Sequence, residues 1–365
     1  MKRWLRVSRA LAVAGAAVLA TALLLPSHAP AQQAINSIGI PGFDGNTGWI
    51  NSAPLTQDDL RGKTVLVDFF EYTCINCLRT LPYLREWYAR YHKYGFVIIG
   101  VHTPEFGFSG ERENVEAAAR RLGITWPIVM DDHYAIWNRY HNDEWPHEFL
   151  YAPNEQLIES FEGEGGYPDT ERKIQLILKV GQPNLNLPPL MALLPQDSYD
   201  KPGAVCYPKT PELLLGHEQI ADAASGDRAA SADYEDRGGE HRDGAIYLQG
   251  YWHLTHDAAV ADAGNGYVAL RYHAIQVEIV LKPERGPVRV AVTQDGKPVA
   301  RGDAGTDIHY DANGNSYVEV DTPRAYEVIM NAQYAPRHDL RLTAQSAGLG
   351  VYDFAFESCE VPGAH

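Results

Sequence analysis

Cysteine is scarce in this chain of 365 residues: Cys74, Cys77, Cys206 and Cys359 are the whole complement. Four are too few to staple a disulfide scaffold, so the core must come from packing and any thiol chemistry must be local. Basic residues are also few, with 31 Lys+Arg against 47 Asp+Glu and a formal net charge of −16. A nucleic-acid partner, which needs a basic face, is therefore not expected. A hydrophobic content of 45% with 10% aromatics excludes a disordered chain. Beyond the first thirty-one residues no apolar run approaches the ~20 residues that cross a bilayer. No internal repeat joins the two halves, and the length exceeds one ordinary core, so two unlike domains are expected.

The N-terminus departs from this composition. Lys2, Arg3, Arg6 and Arg9 precede an uncharged run from Leu11 to Leu25 and then Ala29-Pro30-Ala31. These are the three parts of a signal peptide over residues 1–31, with an uncleaved membrane anchor as the alternative. Either reading places the rest of the chain outside the cytoplasm, in the periplasm or cell envelope. Cleavage after Ala31 would leave 27 basic and 47 acidic residues, a charge of −20.

Residues 64–139 alternate short β-branched or aromatic runs with helical spacing, the pattern of a layered α/β domain. Strands are expected at 64–70, 96–101, 126–130, 148–151 and 156–162, and helices at 78–92, 111–122 and 170–180; this unit spans 36–181. Residues 182–215 are rich in Pro, Asn and Leu and read as an extended connector lying on a domain surface. Residues 222–243 read as a loop. From 245 the rhythm is all-β, with strands expected at 245–254, 266–281, 288–294, 316–320, 325–331, 340–345 and 351–357. Asp295-Gly296 and Asn313-Gly314 suit tight hairpins. The region 216–361 is thus expected to be a jelly-roll sandwich.

The Cys74-Ile75-Asn76-Cys77 pair follows a buried strand and opens a helix. Free backbone N–H groups and the helix dipole at that position favour a thiolate, which makes Cys74 the nucleophile. One helical turn brings Cys77 behind it as the resolving thiol. Half of a zinc site has the same spacing, but Cys206 and Cys359 form no second knuckle. A purely structural local disulfide is the remaining alternative. No metal and no cofactor beyond the redox-active disulfide Cys74–Cys77 is expected.

The segments Pro54-Leu55-Thr56, Asp59-Leu60-Arg61-Gly62-Lys63, Val65 to Phe70, Cys74 to Cys77, Arg79 to Trp87 and Val101-His102-Thr103-Pro104-Glu105-Phe106 resemble the exported thioredoxin-like region of DipZ-type proteins, relatives of the TlpA reductases. Gly216, Gly250-Tyr251-Trp252 and Tyr352-Asp353-Phe354-Ala355-Phe356 resemble the β-sandwich that follows in that group, which is similar to a carbohydrate-binding module. The resemblance implies an α/β thioredoxin-like domain followed by the sandwich. It also implies that Asp68 is a buried acid taking the proton of the resolving thiol and that Pro146, after Trp145, is a cis-proline facing the cysteines. Trp145, Tyr72, Ile75 and Asn76 would line the substrate groove. Glu105 would line the same cleft, or else be an exposed loop acid. Phe70-Glu71 departs from the Phe-Trp usual in DipZ-type proteins, and Tyr72-Thr73 from the Trp that precedes the first cysteine of thioredoxins.

Cys206 and Cys359 are the leftover pair, expected to form a structural disulfide in an oxidising compartment; a relay for electrons from Cys74 and Cys77 is the alternative. Tyr247, Tyr251, Trp252, Tyr267, Tyr272, Tyr310, Tyr317 and Tyr334 make a glycan a candidate partner, although such residues are more often core or cross-strand pairs. The functional expectation is an exported thiol:disulfide oxidoreductase that reduces disulfide-bearing envelope proteins. A separate membrane electron donor of the CcdA or DsbD type would restore its thiols. Two alternatives are a glycan-binding envelope protein with an inert thioredoxin-like domain and a peroxiredoxin-type peroxidase. Against the peroxidase, Glu71 and Val67 stand where that chemistry needs Thr or Ser and Pro.

Overall fold

The computed structural model describes residues 39–180, 182–216, 231–335 and 337–361. The segment read as an export signal, residues 36–38 of the first domain, and residues 222–230 of the segment read as a loop lie outside the described residues.

The first domain runs β1 (Gly48–Ile50), α1 (Gln57–Leu60), β2 (Thr64–Phe70), α2 (Ile75–Tyr91), β3 (Phe96–His102), α3 (Arg112–Leu122), β4 (Ile128–Met130), α4 (Ala135–Tyr140), β5 (His147–Tyr151), β6 (Leu157–Glu162) and α5 (Tyr167–Leu178). Its sheet has the order β1-β4-β3-β2-β5-β6; β2, β3 and β4 are parallel, and β5 and β6 are antiparallel. Every residue of central β2 is buried. Val65, Val67 and Phe69 enter one apolar layer, and Leu66 and Phe70 enter the other, the layer that holds Cys77, Leu81 and Leu84 of α2. The two-residue period of a strand therefore puts Asp68 on the α2 face.

The chain continues through β7 (Val205–Cys206), β8 (Leu213–Leu214), β9 (Ser231–Tyr234), β10 (Ile246–Leu254), β11 (Ala259–Ala261), β12 (Tyr267–Tyr272), β13 (Gln276–Pro283), β14 (Val288–Gln294), β15 (Lys297–Pro298), β16 (His309–Tyr310), β17 (Ser316–Val320), β18 (Arg324–Met330), β19 (His338–Ala344), β20 (Leu349–Glu357) and β21 (Cys359–Glu360). The named strands of this region pair antiparallel. One layer joins β9, β10, β11, β20, β13 and β18, and the other joins β12, β19, β14, β17 and β16. Strand β10 belongs to both: Ile246–Gln249 pairs β12, whereas residues 250–254 pair β9 and β11. The corner falls at Gly250, whose φ is +91° and where a Cβ would stand 3.0 Å from Gly266 Cα. Only glycine fits such a bend.

Two expectations are corrected here. The run 266–281 is not one strand but β12 and β13, one in each layer. At the break Thr210 N–H donates to His273 O, His273 N–H donates to the Thr210 hydroxyl, and Ile275 N–H donates to Glu357 O. Both strands are buried, so apolar patterning continues across the change of layer. Part of the segment read as a loop is strand, because residues 231–234 pair β10.

The connector lies on the first domain. Leu185, Leu187, Met191 and Leu194 pack on the α2 layer, Tyr83 Oη donates to Asp197 (2.5 Å), and Met191 N–H donates to Glu171 (2.9 Å). Its last residues already belong to the sandwich, since β8 pairs β20 and Leu215 is in the sandwich core. Cys206 and Cys359 stand opposite each other on β7 and β21 and are joined by a disulfide.

The β13/β20 layer sits directly on the first domain. Val280, Ala325 and Tyr352 join the apolar cluster of Leu81, Phe106 and Phe108, with Tyr352 edge-on to Phe108 at 4.7 Å. Arg79 of α2 reaches across to Gln276 (3.2 Å) and Glu357 (3.2 Å) while holding Glu164 (2.8 Å).

Candidate active site

Strand β2 ends at Phe70, and four residues later Cys74 caps α2. The Cys77 N–H donates to Cys74 Sγ at 3.3 Å, so the sulfur occupies the place of an N-cap oxygen. Both thiols are free; Cys74 is half-buried and Cys77 buried. Burial pushes the Cys77 thiol up, and Cys74 adds to this by hydrogen bond and charge. Cys74 therefore faces outward while Cys77 is held protonated behind it.

Asp68 lies below the pair, buried, with neither carboxylate oxygen hydrogen-bonded. Burial pushes it up to about 7. Its cross-strand partner Glu148 is raised well above the usual carboxylate range by the same burial and by the Asp68 charge. The Trp145–Pro146 peptide is cis, and Cys74 Sγ lies 4.0 Å from Trp145 O. Trp145 and Pro146 thus adjoin the reactive sulfur.

The other residues expected around the site divide. Asn76 is partly exposed, and its Oδ1 accepts from Arg79 (2.9 Å). Tyr72 and Ile75 are 1% and 4% exposed, so neither lines an open groove. Tyr72 stacks on the buried His102 ring at 5.5 Å and shares an apolar cluster with Tyr352 of the sandwich. Glu105 is not an exposed loop acid: burial, then the Glu212 and Glu71 carboxylates, push it up to about 8. It lines a cleft with Pro104, Phe106, Glu111 and Tyr134.

Sequence reasoning missed three acids. Glu71 Oε2 accepts from Thr73 N–H (2.5 Å) and Cys74 N–H (3.1 Å) and also from the Thr73 hydroxyl, fixing the turn that presents Cys74. Its signal was the departure from Phe-Trp at this position. Asp353 of β20 and Glu212, just before β8, come from the second domain; Asp353 is within electrostatic reach of Glu212, Glu105 and Cys74. Asp353 had been noticed only as part of a motif. In the sandwich, Trp252 and Tyr272 are core residues, the Tyr267 hydroxyl bonds Asp236, and Tyr251 is exposed. Among the described residues no three His, Cys, Asp or Glu side chains are grouped as metal ligands.

Comparison with known proteins agrees with this two-part architecture. Residues 210–356 match the thioredoxin like C-terminal domain family, and residues 40–160 match the AhpC/TSA family. Protein DipZ of Mycobacterium tuberculosis is 34% identical over 265 residues, which are 71% of this chain and 36% of DipZ. The chain thus spans about a third of the length of that relative. The thiol-disulfide oxidoreductase ResA of Geobacillus kaustophilus is 34% identical over 119 residues, 33% of this chain and 66% of ResA. A thiol-disulfide isomerase structure from Corynebacterium glutamicum aligns at 19% identity over 36% of this chain and 92% of its own, with a TM-score of 0.35. This chain is thus a homologue of DipZ over 71% of its own length, with a dithiol at a helix start followed by a region that matches the thioredoxin like C-terminal domain family.

Proposed function

We propose that the protein is an exported thiol:disulfide oxidoreductase that reduces disulfides of envelope proteins. The observation carrying this reading is the stacking of three groups: Cys74 facing outward at the helix start, Cys77 protonated behind it, and an unpaired buried Asp68 on the same face of β2. Cys74 Sγ, as thiolate, attacks one sulfur of a substrate disulfide; that S–S bond breaks and a mixed disulfide forms. Cys77 then gives its proton to Asp68 and attacks Cys74 Sγ, expelling the second substrate sulfur. Two electrons pass to the substrate and Cys74–Cys77 becomes a disulfide, which a membrane electron donor of the CcdA or DsbD type reduces again.

Purified reduced protein is expected to reduce insulin, and Cys74→Ser to abolish this. A Cys77→Ser variant is expected to accumulate mixed disulfides with its substrates in envelope extracts. Wild-type protein that does not reduce insulin and traps nothing through Cys77→Ser would refute the reading.

A further inference from the structure

We propose that Asp353 of the β-sandwich is the proton donor to the sulfur that leaves when Cys74 opens a substrate disulfide, so that the active site is completed by the second domain. The inference deepens the oxidoreductase reading and rests on it.

The geometry begins with a β-bulge. In the β13/β20 pairing Val280 is opposite Asp353 and Leu281 is opposite Val351, so Tyr352 is skipped. A bulge re-aims the side chains beside it. Here Tyr352 seats on Phe106 and Phe108, and Asp353 is brought within electrostatic reach of Cys74. Asp353 is 3% exposed, and its Oδ1 has no hydrogen-bond partner although it is buried. An orphaned carboxyl oxygen beside a reactive sulfur is costly unless it serves a partner that arrives later.

The surroundings keep a proton on this group. Burial is the main cause; Glu212, by charge and hydrogen bond, and Glu105 add to it, as does Cys74. The facing partner on β13, Val280, is apolar. Burial and these carboxylates favour the neutral acid, the form that can donate. When the Cys74 thiolate attacks, the substrate S–S bond breaks, its electron pair goes to the leaving sulfur, and the Asp353 proton is transferred to that sulfur. Asp353 is left as carboxylate and regains a proton from solvent.

Leaving groups discriminate this role from a structural one. An aryl disulfide such as 5,5′-dithiobis(2-nitrobenzoate) expels a stable thiolate and needs no proton, whereas bis(2-hydroxyethyl) disulfide expels a basic one. Stopped-flow reduction by the full-length reduced protein is expected to slow at least about tenfold for the alkyl disulfide in Asp353→Asn. The aryl disulfide and iodoacetamide alkylation of Cys74 should stay within about twofold. Equal slowing of both disulfides, or of neither, overturns the proposal. Glu212→Gln, at an exposed residue, offers a second test: the pH at which alkyl-disulfide reduction falls should move lower, and an unmoved limb overturns the proposal. Wild-type protein that reduces neither reagent would instead overturn the oxidoreductase reading, and this inference with it.

Discussion

Asp68 on β2 and Glu148 on β5 stand directly opposite each other, both buried, with neither Asp68 oxygen hydrogen-bonded. Such a pair disfavours two negative charges, so the site holds a proton at neutral pH. The folded Asp68 titrates near 7 against 3.8 for the free group. An acid raised in the folded state contributes its stability fully below the unfolded value and loses it as pH rises through the folded one. Wild-type stability in urea is expected to fall between about pH 4 and 7, by at most about 4 kcal/mol. Asp68→Asn should reduce that fall, leaving the part that burial of Glu148 contributes, and slow the release of mixed disulfides about tenfold or more. Identical pH profiles for the two proteins would show that Asp68 is not the titrating group.

Glu71 supports the turn that carries Cys74. In Glu71→Ala the Thr73 N–H and hydroxyl lose this acceptor, and the Cys74 N–H keeps only its long bond to the carbonyl of residue 71 (3.4 Å). The expected loss is about 2–4 kcal/mol in urea unfolding. Glu71→Gln keeps an acceptor oxygen and should cost less than about 1.5 kcal/mol. If the two variants are equally unstable, the charge rather than the hydrogen bonds holds the turn.

The same residue bears on peroxide chemistry. Residues 40–160 match the AhpC/TSA family, yet Glu71 and Val67 occupy the positions where a peroxidatic cysteine needs Thr or Ser and Pro. Glu71 receives the Cys74 N–H and presents no hydroxyl to a bound peroxide. Hydrogen peroxide consumption by wild-type protein, followed with dithiothreitol as reductant, is expected not to exceed that of Cys74→Ser. Turnover that depends on Cys74 would contradict this.

Much of the first domain was legible because its signals are local. The continuous apolar run of β2 and the Cys-x2-Cys step into a helix each lie within a few residues, and the structure places Asp68 beneath the cysteines. The contribution of the sandwich was not legible. Asp353 follows Cys74 by hundreds of residues, and its approach depends on a bulge at Tyr352, which leaves no periodic trace in a strand buried at every position. The burial of Tyr72 was hidden for the same reason, since it shares an apolar cluster with Val280, Ala325 and Tyr352 of the other domain. The layer change between β12 and β13 failed differently, because apolar character is continuous through a corner.

The disulfide brackets the sandwich. Cys206 and Cys359, 153 residues apart, close nearly the whole second domain into a loop. Replacing both by Ser should lower the stability of the sandwich by about 2–5 kcal/mol, since the unfolded chain regains the entropy of the open loop. Alkylation of Cys74 by iodoacetamide should be unchanged in the folded variant. A loss of insulin reduction without a loss of stability would favour the relay reading of this pair instead.

Arg79 joins the helix of the dithiol to the sandwich. Burial alone would lower its pKa, but Glu164, by charge and hydrogen bond, then Tyr199 and Glu357 more than reverse this. Glu357 titrates at about 2: burial would raise it, and Arg79, Tyr199 and Lys209 together hold it down. A carboxylate depressed in the folded state contributes stability above its unfolded value of 4.5 and loses it as pH falls through the folded one. The contact between the domains should therefore weaken between about pH 4.5 and 2. Arg79→Met leaves Glu164 buried without its cation and Glu357 with Lys209 alone, and should cost about 3–5 kcal/mol. It should also expose the 182–215 connector to limited proteolysis at neutral pH. If the domains stay associated, the apolar seat of Tyr352 on Phe106 and Phe108 carries the interface alone. In that case Tyr352→Ala, rather than Arg79→Met, should open the connector to the protease.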